Sequence, residues 1–427
     1  MSSCLLYRDS RGLAWGFGFV VVSGFAKTEP LVRLGKIIMS ELSVFRQGVR
    51  GWLNENFPSS LKNKRPTNVA GFGAKFEGDM ETWRNRFGAK GWAAPTWPDE
   101  YGGGGLTSEE AEVLKEEMRA AGAFNPIGGF GIMMFGPTLL DVATEEQKKR
   151  YLPPIVRGEI HWCQGYSEPG AGSDLASLQS LAEDRGDHFV INGSKIWTSG
   201  ALEADWMYGI FRTDKSNKYE GISFICLDMK SPGVEVKPIR LISGQSPFNE
   251  VFFTDVVVPK ENLIGEINQG WVIGKHLLLH ERQGIAGEGS MGATSYGPVE
   301  AARDYVGLKD DRLLDGALRQ RIARHKMMTH AFSQTAKRFS EETAVKGPSS
   351  AIGILKVGWA KMNQDREELM IEIMGNRGLG WEGDQFNNEE RGHVRAWLRS
   401  KANSIEGGSN EVNLNLVAKR VLGLKGY

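Results

Sequence analysis

The sequence predicts an α+β protein in which an amino-terminal helical domain, a central antiparallel β domain and a carboxy-terminal helical bundle follow one another. Helical periodicity dominates from Glu41 to Arg157, gives way after His161 to short runs rich in β-branched and aromatic residues, and returns after Gly270. These blocks do not alternate, so a doubly wound parallel sheet is excluded. The 427 residues exceed what one hydrophobic core usually supports, about 250–300 residues. The expected division is 39–160, 161–268 and 269–427, behind an extension over 1–38.

Each element has its own signal. Leu42, Phe45, Val49 and Trp52 recur at helical spacing before Pro58. Glu77 to Arg86 and Ser108 to Ala121 also read as helices, separated by the Gly- and Pro-rich stretch Gly91 to Leu106. Thr144 is a natural cap for a helix to Arg157, with acidic residues first and Lys148, Lys149 and Arg150 later, as the helix dipole favours. Strands are expected at His188–Asn192, Trp206–Arg212, Ile222–Leu227, Val234–Ile239 and Val251–Val258. Asn192-Gly193, Pro232-Gly233 and the polar 214–220 segment divide them, and Pro259 closes the sheet. Helices then follow around Trp271–Glu281, Ala317–Phe339, Ala351–Met374 and Asn410–Leu422.

Composition narrows the function classes. With 52 basic and 52 acidic residues the chain has no net charge to drive nonspecific nucleic-acid binding, although a local basic patch for a phosphorylated small molecule would leave the total unchanged. Cys4, Cys163 and Cys226 form neither a disulfide framework nor a zinc pattern, which fits a reducing, cytoplasmic setting. Leu13 to Ala26 is shorter than the ~20 residues that cross a bilayer, and Arg8 and Arg11 precede it without a convincing cleavage site. Stable membrane insertion is not expected. The extension is read as dispensable, with Met39 as an alternative start.

Two segments can carry chemistry. In Ser167-Glu168-Pro169-Gly170-Ala171-Gly172-Ser173-Asp174 the glycines permit close approach, so backbone N–H groups and the hydroxyls of Ser167 and Ser173 can face cofactor oxygens while the acidic residues organise the turn. A purely structural Asx-type turn is the competing reading. Asn192 to Gly200 joins an expected hairpin to Trp197, Thr198 and Ser199. Neither segment is a GxGxxG or GxxxxGK[ST] motif, and Ser167 has no hydrolase-like histidine nearby. His276 and His280 share a helical face at i and i+4, but no HExxH surrounds them, and no metal is expected.

Gln164 to Asp174, Lys195 to Ser199 and the end of the chain resemble the acyl-CoA dehydrogenase family, over about Glu41 to Leu424. The resemblance implies FAD and an acyl-CoA thioester enclosed by the three domains. It assigns Gln164, Ser167, Gly172 and Ser173 to the first flavin-contacting segment, with Ser173 also toward substrate. Trp197 and Ser199 correspond to the tryptophan and hydroxyl beside the isoalloxazine, with Thr198 as the alternative hydroxyl. Pro137 to Glu159 resembles the approach to the substrate wall. The acyl cavity is expected around Phe130, Met133, Met134, Phe135 and the Trp271 to Leu279 segment.

Ile405-Glu406-Gly407-Gly408-Ser409-Asn410-Glu411-Val412-Asn413 resembles the family's terminal segment, which implies cofactor contacts at Ser409 and Glu411 and substrate contacts at Glu406 and Gly407. The catalytic glutamate of many relatives aligns with Gly407, which cannot remove a proton. Other branches place the base in a Leu-Glu-Arg segment resembling His280-Glu281-Arg282. Glu281 is therefore the expected base, Glu406 its alternative, and Arg282 a loop or CoA contact. Two family elements are altered: Arg-x-x-Phe-Gly is not recognisable between Tyr305 and Gln320, and Gln-x-x-Gly-Gly survives only loosely at 374–380.

The implied reaction is FAD-dependent conversion of a saturated acyl-CoA to the trans-2-enoyl thioester, with electrons passing to an electron-transferring flavoprotein. An acyl-CoA oxidase-like enzyme and a catalytically weak flavin-binding subunit of a mixed complex are the alternatives. The resemblance implies a homo-oligomer, dimer or tetramer, and the departures are compatible with a mixed one.

Overall fold

The computed structural model describes residues 29–64, 76–286, 296–347 and 349–425, with backbone alone for 29–40, 281–286, 344 and 350. The leader-like stretch Leu13 to Ala26 lies outside the described residues. Helix α1 (Glu29–Asn56) begins upstream of the predicted Glu41 and buries Val49 and Leu53. It is followed by α2 (Asp79–Ala89), α3 (Ser108–Ala121), α4 (Gly136–Val142) and α5 (Glu145–Val156). Helices α3 and α5 start in capping boxes, Thr107 with Glu110 and Thr144 with Gln147, so each spends two side chains on otherwise orphaned N–H groups. Arg46 and Arg50 on α1 grip the buried Glu117 of α3 at 2.9 Å each; the Arg50 hydrogen bond outweighs burial and holds that carboxyl below its ordinary range.

Between α3 and α4, one π-helical turn, Gly131–Phe135, swings Phe135 into the seam with the sheet. Its fully buried ring lies 4.3 Å from Trp162 and stacks on Tyr208 at 4.9 Å and 13°. Met134 and Phe135 are therefore core residues and not the cavity wall expected from sequence, because the π turn rotates them inward. Met133, on the other side of the turn, is 41% exposed.

The sheet comprises β1 (Trp162–Gly165), β2 (Leu181–Asp184), β3 (His188–Ser199), β4 (Trp206–Arg212), β5 (Ile222–Asp228), β6 (Val234–Ile239), β7 (Phe248–Pro259) and β8 (Leu263–Ile264). Its order is β6-β7-β3-β2-β4-β5-β8, with β1 beside β4. Most pairings are antiparallel as predicted, but β1 runs parallel to β4 from Trp162↔Trp206 to Gly165↔Gly209, and β2 meets β4 in parallel at Leu181↔Arg212. The sheet is mixed because the first strand arrives from the helical domain and joins a strand that is not its neighbour in sequence.

Asn192-Gly193 is not the predicted turn. It lies inside β3, where the register against β7 shifts between Ile191 and Gly193. The Asn192 side chain accepts from Asp255 N–H at 2.9 Å and donates to the Asp255 carboxylate at 3.0 Å, satisfying the bulged backbone across the strands. Gly193 is required there: at φ 140°, a Cβ would sit 2.7 Å from Ser180 Cα.

The carboxy-terminal helices are α6 (Gly270–Ala286), α7 (Pro298–Ala301), α8 (Gly316–Lys346), α9 (Gly353–Met374), α10 (Asn388–Ser400) and α11 (Asn410–Arg420). Helix α9 is central, burying Leu369, Met370 and Ile373. Sequence reading missed α10, although Asn387 and Glu390 close a capping box at its start. Among the described residues, no helix is long and apolar enough to cross a membrane.

The Phe135 seam joins the helical domain to the sheet. Phe135→Ala is expected to cost about 3–5 kcal/mol, the range for an aromatic deleted from a packed core, read as a lower denaturant midpoint. A loss below about 1 kcal/mol would show that the seam contributes little.

Candidate active site

The loop from Ser167 to Asp174 is pinched at its root, where Glu168 and Ala171 exchange backbone hydrogen bonds of 3.0 Å in each direction. Gly170 and Gly172 occupy the exposed tip, and a Cβ built on either meets no atom within 4 Å. Their backbone is open to a ligand, as is the exposed Ser173. Ser167 is half-buried and its carbonyl accepts from Ile196 N–H at 2.8 Å, which ties the loop to β3.

The Glu168 carboxylate turns inward. It accepts from Gln179 N–H at 2.6 Å, Ser180 N–H at 2.9 Å and Lys195 Nζ at 2.7 Å. Lys195, wholly buried, also donates to the carbonyls of Ile210 at 2.8 Å and Tyr166 at 3.2 Å. Burial pulls the Lys195 ammonium down to about 8 against the attraction of Glu168. Burial pushes the Glu168 carboxyl up, but the Lys195 charge and the three donors more than offset it and hold the group below its ordinary range.

Two residues beyond Lys195, the β3 register against β7 slips again, between Lys195 and Thr198. Trp197 sits in this bulge at φ 61°, a left-handed conformation that a large side chain adopts only when its surroundings enforce it. Its indole is 53% exposed and meets Phe248 edge-on at 6.2 Å and 85°. Beside it, Thr198 is fully buried and its Oγ1 has no hydrogen-bond partner. The buried Nε2 of Gln164 on β1 likewise has none. A buried hydroxyl and amide left unpaired cost free energy unless a ligand meets them. With an exposed indole and an open glycine loop nearby, these two atoms suit a polar heterocyclic cofactor such as FAD. Of the two expected hydroxyls, Thr198 has this unmet Oγ1; Ser199 is half-buried beside it.

The terminal segment reaches the same region through aromatic and ionic contacts. Phe248 carries the Arg399 guanidinium over its ring at 5.0 Å, and Arg399 Nη2 donates to Glu406 at 2.6 Å. Asn403 Nδ2 donates to the other Glu406 oxygen at 2.5 Å. Glu406 N–H is taken by the Ala402 carbonyl at 2.9 Å. Gly407 and Gly408 follow at φ 64° and 83°, forming a turn that glycine adopts without strain. Ser409 Oγ accepts from Val412 N–H at 3.2 Å and so caps α11, while Glu411 is exposed in its first turn. The described contacts thus make Ser409 a helix cap. Glu281 and Arg282 lie on α6, but their side chains are outside the described residues.

A cleft of about 400 Å³ opens beyond the glycine loop, with Ala176, Ser177 and Gln179 on one side and Lys215, Asn217 and Lys218 on the other. Arg212 spans its base, donating to the carbonyls of Ala176 at 2.7 Å and of Asn217 and Lys218 at 3.0 Å. Lys218 pairs with Asp174 at 2.7 Å, linking this cleft to the Ser167–Asp174 loop. Sequence reading singled out neither Lys195 nor Arg212. Their signal is a cation at an apolar strand position, which the β3 bulges obscure for Lys195.

The geometry agrees with three family models: the acyl-CoA dehydrogenase N-terminal domain matches residues 41–159, the middle domain 163–256 and the C-terminal domain 268–422. The chain is 35% identical over 392 residues to the acyl-CoA dehydrogenase IpdE1 of Mycobacterium tuberculosis, covering 90% of this chain and 98% of that one. It is 33% identical over 400 residues to IpdE1 of Mycolicibacterium smegmatis, with the same coverage. The solved structure of the Tcur3481-Tcur3483 steroid ACAD has a TM-score of 0.70 at 31% identity, covering 91% of this chain and 98% of that one. The ChsE4-ChsE5 complex from Mycobacterium tuberculosis has a TM-score of 0.65 at 26% identity, with the same coverage.

Glu168→Gln would leave the Lys195 ammonium buried without its counter-charge, with an expected loss of about 3–5 kcal/mol and reduced cofactor retention. Because the folded-state pKa of Glu168 is depressed, its contribution is present above the unfolded carboxyl value and disappears as pH falls through the folded one. The stability difference between wild type and Glu168→Gln should therefore shrink toward acid. A difference independent of pH across the acid limb would contradict the ion-pair account.

Proposed function

Since the chain belongs to the acyl-CoA dehydrogenase family and uses FAD, we propose that it is a flavin-binding subunit of a mixed acyl-CoA dehydrogenase complex, weakly active by itself. Gly407 carries this reading: the terminal segment has glycine where many relatives carry the base, and the adjacent Glu406 carboxylate is already bound by Arg399 and Asn403. Two of the similar solved structures are described by paired chain names, Tcur3481-Tcur3483 and ChsE4-ChsE5. The carboxy-terminal region also exposes Leu379, Ile405, Leu414, Leu422 and Leu424, apolar side chains that a partner subunit could cover.

The reaction proposed for the complex is removal of hydrogen from the α and β carbons of an acyl-CoA thioester, giving the trans-2-enoyl product. Bound FAD supplies the acceptor for the β-hydride. Glu281 on α6 is the proposed base for the α-proton, a role that a carboxylate fills better when partial burial raises its pKa. The α-proton is too weakly acidic for an ordinary carboxylate unless the thioester carbonyl is polarised. With the Glu406 N–H committed to Ala402, the amides of Gly407 and Gly408 are the proposed donors. Gln164, Thr198 and Trp197 would hold the ring of the cofactor, and the 167–173 loop its polar part. Lys215 and Lys218, on the cleft walls, are suited to the phosphates of CoA.

The likeness to a structure described as a steroid ACAD supports a bulky ring-bearing acyl group as substrate. An electron-transferring flavoprotein is the proposed electron acceptor.

Anaerobic flavin bleaching tests these assignments, using straight-chain and steroid-derived acyl-CoAs with the chain alone and with a co-purifying family member. Bleaching by steroid thioesters is expected in the two-chain preparation, about tenfold or more faster than in the single chain; equal rates would remove the mixed complex. Glu281→Gln should keep FAD bound and slow bleaching by about 10²–10⁴-fold, the usual contribution of a general base. Undiminished bleaching would exclude Glu281. Fast peroxide formation on mixing the reduced protein with oxygen would favour the oxidase reading over transfer to a flavoprotein.

A further inference from the structure

We propose that Asp141, His276 and His280 form a binding site for a divalent transition-metal ion of the zinc class. His276 and His280 stand one turn apart on α6, and the third donor comes from Asp141 near the end of α4, which no pattern in the α6 sequence reveals. Asp141 Oδ2 lies 2.7 Å from His276 Nε2 and 3.9 Å from His280 Nε2. One carboxylate oxygen thus bonds one imidazole nitrogen and lies within 4 Å of a second.

The geometry is close to what a metal requires. Ligands about 2.0–2.1 Å from a tetrahedral zinc lie about 3.4 Å from one another. The two separations to Asp141 bracket that value, and the donor atoms all fall within 4.8 Å of each other. Sub-ångström side-chain movement would equalise them. The imidazole rings meet edge-on at 5.1 Å and 90°, so neither ring blocks the other's nitrogen. Two imidazoles and one carboxylate suit zinc, nickel, copper or cobalt better than calcium or magnesium, which favour oxygen ligands. Partial exposure of all three residues gives an ion access from solvent and leaves a coordination position to water.

Such an ion would pin α4 to α6 one residue before Glu281. The inference rests on the donor geometry and is independent of the proposed reaction.

The test is calorimetric titration of the chelator-stripped, FAD-loaded full chain with Zn²⁺ alone. One ion per chain is expected, with affinity reduced by roughly tenfold or more in Asp141→Asn and binding lost in the double variant His276→Gln/His280→Gln. Zn²⁺ should raise the Tm of the wild type and leave that of the double variant unchanged. A second double variant, His161→Gln/His188→Gln, should bind like wild type. Absence of Zn²⁺ binding at micromolar concentration, or wild-type stoichiometry in the His276→Gln/His280→Gln protein, would overturn the site. The visible spectrum of the Co²⁺-loaded wild type gives a second readout: tetrahedral bands support the site, and bands that persist in the His276→Gln/His280→Gln variant refute it.

Discussion

The buried ion pair between Glu168 and Lys195 is the constraint on which the candidate site depends. A carboxylate in a glycine-rich loop and an ammonium on a strand are both removed from water. Removal of two charges is costly unless each finds partners in the interior. Here the carboxylate also takes two backbone N–H donors and the ammonium two carbonyls. The pair therefore fixes more than itself: it ties the root of the loop and the path of β3 to the backbone of β4 at Ile210. The exposed glycine tip can be open because the root is closed.

A second chain of contacts extends this order into the carboxy-terminal region. Trp197 leans on Phe248, Phe248 on Arg399, and Arg399 on Glu406. Through them the bulge in β3 and the Gly407-Gly408 turn are positioned relative to each other, although they belong to different parts of the sequence. Arg399 has a double role here, since its planar guanidinium can lie on an aromatic face while its edge binds a carboxylate. The same contact commits Glu406 to a structural partner.

The helices-sheet-helices order was legible because hydrophobic periodicity reports local structure directly, and Thr144 and Pro259 mark boundaries through capping and proline chemistry. The segments proposed to face the flavin were singled out through the resemblance carried by Gln164, Ser167 and Trp197. What escaped was set by nonlocal geometry. Asn192-Gly193 carries a turn signal, yet the hydrogen bonds to Asp255 convert it into a bulge within one strand. Phe135 looks like a pocket residue until a π turn rotates it into the core. The buried partner of Lys195 and the α4 carboxylate beside the α6 histidines become visible only once separate elements meet.

The arrangement at Arg212 has a consequence for anion recognition. Its three guanidinium nitrogens donate to the carbonyls of Ala176, Leu178, Asn217 and Lys218, so its directional capacity is consumed in joining two loops. It lends the cleft positive potential but has little left to grasp a phosphate with. In the proposed binding of CoA, anchoring would fall instead to the exposed Lys215 and to Lys218, which Asp174 already holds at 2.7 Å, and their hold on an anion would be governed by ionic strength. The cleft thus separates a rigid source of charge from two exposed lysines, an arrangement that would suit the nucleotide handle of the proposed substrate.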